Sequence, residues 1–210
     1  MADMALDLTG YFARIGYDGA ADPTLDVLQD LVTAHTHAIP FENLDPLLGV
    51  PVDDLSPEAL FDKLVHRRRG GCCYEHNGLM GHVLQELGFG VRRIAARVVW
   101  TVPPGSPVPS QTHTLLGVAP PDAPQLSLVD VGFGGQTPTS PLRLEIGSVQ
   151  QTTHEPYRLQ GRGDILVLQA GIRGEWQSLY ESPPRQHRRS ICRWAAGMPP
   201  LTRRRISSPT

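Results

Sequence analysis

The chain has 210 residues, 40% of them hydrophobic, with nineteen basic and twenty-one acidic side chains and a formal charge of −2. That length can bury a real core as one large domain or two small ones, and the composition fits a soluble globular protein. No apolar run approaches a membrane span, and residues 1–20 lack the basic start and apolar block of an export signal, so the expectation is a cytoplasmic protein with no membrane partner.

Leu8, Tyr11, Phe12 and Ile15 recur at helical spacing and predict a first helix closed by Gly16. Asp22-Pro23 reads as the cap and first residue of a second helix, whose inner face of Leu25, Leu28, Leu31 and Val32 ends before Pro40. His35 and His37 are alternate residues that do not share a helix face, so they read as surface histidines rather than ligands. Ser56-Pro57 repeats the start signal, with Leu60 and Leu64 turned inward. A further helix follows Cys73, where Leu79, Val83, Leu84 and Leu87 share a face until Gly88 stops it. Residues 1–89 therefore read as a helical bundle.

From Val91 the period changes. Ile94, Ala96, Val98 and Trp100 alternate as a strand requires, and residues 101–111, with four prolines, form a loop. His113, Leu115 and Gly117 share one strand face, and Leu126, Leu128 and Asp130 share another. If those strands pair, His113 and Asp130 project to the same side. Further strands at 157–159, 165–170 and 176–180 complete an antiparallel meander or partly closed barrel over residues 90–181. The fold class is α+β, a helical bundle first and a barrel-like domain second.

The charge is unevenly placed. Residues 1–181 hold all twenty-one acidic side chains and twelve basic ones, a balance of −9, whereas 182–210 hold seven arginines and no acid, +7. The last segment has no usable periodicity and reads as a disordered basic tail. Its bias towards Arg, Pro, Ser and Ala suits a GC-rich coding sequence read out of frame better than a nucleic-acid-binding arm, since nothing else in the chain looks like a site for such a partner.

The chemistry concentrates in residues 67–79. Gly70 and Gly71 leave unhindered approach to a thiol, Cys73, that opens a helix. Unsatisfied N–H groups and the positive end of the helix dipole favour thiolate there, and Arg67, Arg68 and Arg69 add to the effect. A base and an orienting acid follow in Thr112-His113 and Val129-Asp130, so Cys73, His113 and Asp130 make a candidate triad in chain order. Three cysteines with no C-x-x-C spacing make neither a disulfide framework nor a metal site. Gly132, Gly134 and Gly135 could cradle an anion, but they match no nucleotide-binding pattern. Glu42 and Asn43 are polar residues in an apolar stretch, which suits a plain turn or an anchor for Arg69.

Ile39-Pro40-Phe41-Glu42-Asn43-Leu44, Arg69-Gly70-Gly71 with Cys73 and Glu75-His76-Asn77, Thr112-His113, and Val129-Asp130-Val131-Gly132-Phe133-Gly134-Gly135 occur in that order. In these motifs, over residues 4–180, the chain resembles the arylamine N-acetyltransferases, and their actinobacterial members closely. The resemblance implies the triad Cys73, His113 and Asp130, with acetyl-coenzyme A as acyl donor, an arylamine or arylhydrazine as acceptor, and ping-pong kinetics through an acetyl-cysteine. It implies that Glu42 anchors Arg69, that Phe41 and Phe133 line the acceptor pocket, and that Thr112 and Gly134 lie at the substrate and cofactor site. Where the family usually places an aromatic residue before the nucleophile, this chain has Cys72, which reads as a small packing side chain. Family members continue into a third, α/β lid domain, and nothing after Glu181 matches it, so the chain reads as truncated or frameshifted there. A cysteine hydrolase or amide-exchange enzyme of the transglutaminase-like type uses the same triad order, and a non-catalytic remnant would keep the same motifs.

Overall fold

A computed structural model describes residues 6–103, 105–121 and 125–182. Residues 1–5 and the basic segment beyond Ser182, on which the expectation of a disordered tail falls, lie outside the described residues.

Each early helix is started by a side chain that satisfies an otherwise orphaned N–H. Helix α1 (Leu8–Ile15) is capped by Asp7, whose Oδ1 accepts from Gly10 N at 2.8 Å, and closes on Gly16 in the left-handed conformation. Helix α2 (Leu25–Ala38) starts two residues later than Asp22-Pro23 suggests. Thr24 is its cap, with an extended backbone and Oγ1 accepting from Val27 N at 3.3 Å. A short turn, α3 (Leu44–Leu47), follows the Phe41 segment. Ser56 caps α4 (Pro57–Leu60), which runs straight into a wider π-helical turn, Phe61–His66. Helix α5 (Cys73–Glu86) carries the candidate nucleophile at its first position. Leu79, Met80, Val83 and Leu84 of α5 are fully buried, each contributing about 1.5–3 kcal/mol by removal from water.

The surface reading of His35 and His37 holds only for His37. His35 is completely buried. It falls on the inner face of α2 beside Leu28, Leu31 and Val32, where its two ring nitrogens both find partners, so burial leaves no polar atom unsatisfied.

The second half is one eight-stranded antiparallel sheet: β1 (Gly90–Val98), β2 (His113–Ala119), β3 (Ser127–Val129), β4 (Leu142–Arg143), β5 (Val149–Gln150), β6 (Tyr157–Arg162), β7 (Ile165–Ile172) and β8 (Glu175–Ser182). Their order across the sheet is β4-β3-β2-β1-β8-β7-β6-β5. The two edge strands, β4 and β5, curl towards each other, and a side chain closes the gap. Gln150 Oε1 accepts from Arg143 N at 2.7 Å and its Nε2 donates to Arg143 O at 2.8 Å, a side-chain amide doing what a ladder peptide would do. The result is the near-closed barrel that the sequence suggests, with two edges fewer exposed to water.

One apolar cluster lies among the helices and reaches Leu116, Val118, Val129 and Val131, while a second lies inside the sheet around Ile94, Leu115, Leu128, Tyr157, Leu168 and Tyr180. Strands β2 and β3 contribute to both clusters, one from each face. The segment that leaves β3 and the loop that enters β2 therefore run along the boundary on which α5 begins. No helix among the described residues is long and apolar enough to cross a membrane.

Candidate active site

Strand pairing sets the acid and the base. Strands β2 and β3 are antiparallel with Leu116 opposite Val129 and Gly117 opposite Leu128. His113, at the start of β2, and Asp130, just past the end of β3, therefore fall on the same side, and His113 Nε2 lies 2.7 Å from Asp130 Oδ2. A carboxylate only accepts, so Nε2 carries the hydrogen and Nδ1 keeps its lone pair. Both side chains are buried. Burial alone would push the Asp130 carboxyl up, but attraction to His113 when that ring is protonated, and hydrogen bonds from His113, Asn77 and Gly132, outweigh it and hold the group below the usual carboxylate range.

Asn77 is the bracket between helix and sheet. Its Nδ2 donates to Asp130 Oδ1 at 3.0 Å and to Thr114 O at 2.9 Å, while its Oδ1 accepts from Val131 N at 3.1 Å. Gly132 N donates to the same Asp130 oxygen at 3.1 Å. Gly132 must be glycine for space: a Cβ there would stand 2.9 Å from both Cys73 Cα and His76 Cβ, closer than such atoms approach. The first turn of α5 thus rests directly on the backbone that leaves Asp130.

The Cys73 sulfur lies 3.7 Å from the Thr112 carbonyl oxygen, which places it beside the residue preceding His113. Cys72, not Cys73, occupies the cap position, and its sulfur faces the backbone N–H groups of Tyr74 and Glu75. A hydrogen bond from Cys73, together with those N–H groups, draws the Cys72 thiol down to about 7 despite burial. The same hydrogen bond, burial and the nearby Cys72 charge push the Cys73 thiol up. The two adjacent sulfurs therefore compete for one negative charge at the helix end.

An ion network fixes the loop before α5. Arg69 Nη2 lies 2.7 Å from Glu42 Oε1 and 2.7 Å from Asp45 Oδ1, so the structure brings Glu42 and Arg69 together. Lys63 Nζ lies 2.6 Å from both Asp45 Oδ2 and Glu75 Oε1, and Glu75 Oε2 accepts from Cys72 N at 2.9 Å. Asp45 and Lys63 escaped the sequence reading because only the fold brings their turns together with Glu75. The π-helical turn sets the position of Lys63, and such a turn leaves no signature in hydrophobic spacing.

The aromatic residues gather above the base. Phe133 meets the His113 ring edge-on, with centroids 5.3 Å apart, and touches Trp100 and Tyr180 at 6.0 and 5.3 Å. Tyr180 also packs on His113 at 5.0 Å. Its hydroxyl is buried with no partner in hydrogen-bond geometry among the described residues, and burial and the Asp130 charge push its ionisation well up. Phe41 lies apart from these rings, against the Gly134 backbone, where a Cβ would come within 3.5 Å of its ring. Gly134, at φ 96°, is held by a hydrogen bond from its N to Thr137 Oγ1 at 2.9 Å. Among the described residues no group of three or more His, Cys, Asp and Glu side chains is placed to hold a metal ion.

Residues 24–191 match the N-acetyltransferase family model. The chain is 74% identical over 178 residues to the arylamine N-acetyltransferase of Mycobacterium tuberculosis, covering 85% of this chain and 63% of that protein. It is 64% identical over 177 residues to the enzyme of the same name from Mycolicibacterium smegmatis, covering 84% of this chain and 64% of that one. The chain thus spans somewhat under two thirds of the length of these relatives. A solved structure of arylamine N-acetyltransferase from Mycobacterium marinum in complex with CoA superposes with a TM-score of 0.82 at 71% identity, over 84% of this chain and 65% of that one.

Proposed function

The chain belongs to the arylamine N-acetyltransferase family, and on that premise we propose that it moves an acetyl group from acetyl-coenzyme A to arylamines or arylhydrazines through an acetyl-Cys73 intermediate. The observation that carries this reading is the 2.7 Å bond between His113 Nε2 and Asp130 Oδ2 next to a thiol at the first position of a helix. Asp130 holds the imidazole with its Nδ1 lone pair available, and that nitrogen takes the Cys73 proton. The thiolate adds to the thioester carbonyl of acetyl-coenzyme A. As the tetrahedral adduct collapses, the carbon–sulfur bond to coenzyme A breaks, the proton on His113 passes to the leaving sulfur, and acetyl-Cys73 remains. The amine nitrogen then attacks the new thioester and gives its proton to His113, and Cys73 departs to restore the resting pair.

The Cys73 backbone N–H belongs to the first turn of α5, whose N–H groups lack intrahelical acceptors, and with a second nearby N–H it suits the oxyanion of both steps. Phe41 against Gly134, Phe133 against the His113 ring and Thr112 beside the thiol come from three separate segments. They form the walls against which a flat aromatic amine and the thioester lie.

Intact mass after brief incubation with acetyl-coenzyme A tests the reading. A gain of about 42 Da, one acetyl group by formula, that disappears on adding an arylamine with release of the acetylated amine is the expected result. A folded protein that gains no mass overturns it, and an adduct that water clears as fast as the amine does points to hydrolysis instead.

A further inference from the structure

One nucleophile-bearing helix turn holds a buried histidine that the reaction above does not use. His76 lies three residues after Cys73 on α5 and is 1% exposed, and behind it His35 of α2 and Tyr11 of α1 are 0% exposed. Their polar atoms form an unbroken line: Tyr11 Oη to His35 Nδ1 at 3.0 Å, His35 Nε2 to His76 Nδ1 at 2.9 Å, and His76 Nε2 to the Pro40 carbonyl oxygen at 3.1 Å. Only one arrangement of hydrogens satisfies that line with neutral rings. A carbonyl can only accept, so His76 Nε2 carries its hydrogen and His76 Nδ1 must accept. His35 Nε2 then donates, His35 Nδ1 accepts, and the Tyr11 hydroxyl donates into it. Every hydrogen bond points the same way, from α1 towards Pro40.

The end of the line is the peptide that precedes Phe41. Pro40 O also accepts from Gly71 N at 3.3 Å, and Glu42 N donates to Gly71 O at 2.9 Å, so the Phe41 segment is laced to the glycines before the thiol. The Phe41 ring lies parallel to the His76 imidazole, with centroids 6.4 Å apart and planes 9° from each other, and its other neighbour is Gly134. Phe41 is nevertheless 45% exposed, an unusual state for a large apolar ring so well braced. With both nitrogens bonded, the imidazole cannot turn, and the surface on which Phe41 lies is fixed.

We propose that the Tyr11–His35–His76 line is a positioning device that holds the half-exposed Phe41 ring as the aromatic platform for the acceptor amine. The proposal rests on the acyl-transfer reading for the identity of the acceptor, and it assigns these residues to acceptor recognition rather than to acylation. Removing the Tyr11 hydroxyl lets His35 take its other tautomer. His76 would then have to donate through Nδ1, leaving a bare Nε2 facing Pro40 O, and the platform loosens although no residue near the substrate has changed.

Equilibrium titration with a para-substituted aniline, without any acyl donor, tests this in wild type, Tyr11→Phe, His35→Gln, Phe41→Leu and the double variant Tyr11→Phe/Phe41→Leu. Tyr11→Phe and His35→Gln should each weaken aniline binding about fivefold, the scale of one misplaced aromatic contact. In the Phe41→Leu background the Tyr11 change should have no further effect, an outcome that general loosening of the fold would not give. Nitrogen-resolved NMR of the imidazoles should find both His35 and His76 as Nε2–H tautomers with slowly exchanging protons. Unchanged aniline affinity in folded Tyr11→Phe protein, additive losses in the double variant, or an Nδ1–H tautomer at either ring overturns the proposal. The acetyl mass gain is read separately, so a wild type that binds the aniline in this pattern but is never acetylated defeats the acyl-transfer reading alone. Where acetylation does occur, Tyr11→Phe should leave its rate within about twofold while raising KM for the aniline but not for hydrazine, which has no ring to place.

Discussion

His113 Nε2 donates to Asp130 Oδ2 across 2.7 Å, while Asn77 of the nucleophile helix and Gly132 N of the chain leaving β3 both donate to Asp130 Oδ1. The carboxylate therefore decides which imidazole nitrogen is basic. Asp130→Asn keeps the size and offers an N–H where an acceptor is needed, which turns the ring towards the opposite tautomer and leaves a hydrogen on the nitrogen that should take the thiol proton. The expected result is a loss of acetylation rate of about 10³–10⁴-fold with little change in circular dichroism. Stopped-flow release of coenzyme A measures it, and a loss below tenfold would show that His113 needs no acidic partner.

The adjacent thiols give a second test. Cys73→Ser should abolish acetylation, while Cys72→Ser should spare it. The second variant should do something more: the hydrogen bond and charge of Cys72 are what push the Cys73 thiol up, so removing them lowers its ionisation. The pH midpoint for iodoacetamide alkylation of Cys73, followed by peptide mapping, should move downward in Cys72→Ser. A midpoint that moves upward would mean that Cys72 helps rather than competes, and acetylation surviving in Cys73→Ser would mean that the wrong sulfur was assigned.

How much of this was readable in advance depends on distance along the chain. The alternation of His113, Leu115 and Gly117 and of Leu126, Leu128 and Asp130 is enough to put base and acid on one side once the strands pair, and they do pair. Helix α1 and its closing Gly16 follow from spacing and from one residue's backbone freedom. The edge strands β4 and β5 are two residues each, too short for any alternation to show, and the seam between them depends on Gln150, whose partner is seven residues away. His35 was misread because its own helix supplies no polar partner. What makes its burial tolerable comes from Tyr11 and His76, which lie 24 and 41 residues away in the chain. The start of the nucleophile helix at Cys73 was legible, because the two glycines and the apolar spacing that follows mark it.

Gly132 links the acid to the nucleophile through backbone contact alone. Gly132→Ala would place a methyl 2.9 Å from Cys73 Cα, so α5 must shift away from the Asp130 segment. Because Asn77 bonds to Thr114 O, to Asp130 Oδ1 and to Val131 N across that same junction, the shift strains three hydrogen bonds at once. The expected outcome is a destabilisation of about 2–3 kcal/mol in urea unfolding, together with a fall in acetylation rate larger than that of Gly134→Ala at a saturating acyl donor. Wild-type acetylation and stability in Gly132→Ala would show that the helix can move without cost to the site.

Acid should weaken the fold well before the carboxylates titrate. Burial above all, with the nearby Arg14 charge and the cost of protonating beside His76, holds the His35 imidazole well below its ordinary value of 6.5. Burial also lowers His76, against the raising effects of the Pro40 carbonyl, Glu75 and Asp130. Both rings stay neutral in the folded chain, while in the unfolded chain they take up protons as pH falls through 6.5. The unfolded state then binds more protons than the native one, so stability is full above pH 6.5 and declines below it until the folded-state values are reached. Each ring contributes a slope of up to about 1.4 kcal/mol per pH unit in that window. The carboxyls of Asp130 and Asp45, both held low, add their own loss only as pH falls below about 4. Urea unfolding at pH 7.5, 6.5 and 5.5 should therefore give a steeper decline between 6.5 and 5.5 than above 6.5. His35→Gln, although less stable at every pH, should lose about half of that slope. An equal slope in wild type and variant would mean that the buried imidazoles are already protonated in the native chain, and the one-way line of hydrogen bonds through them could not then exist.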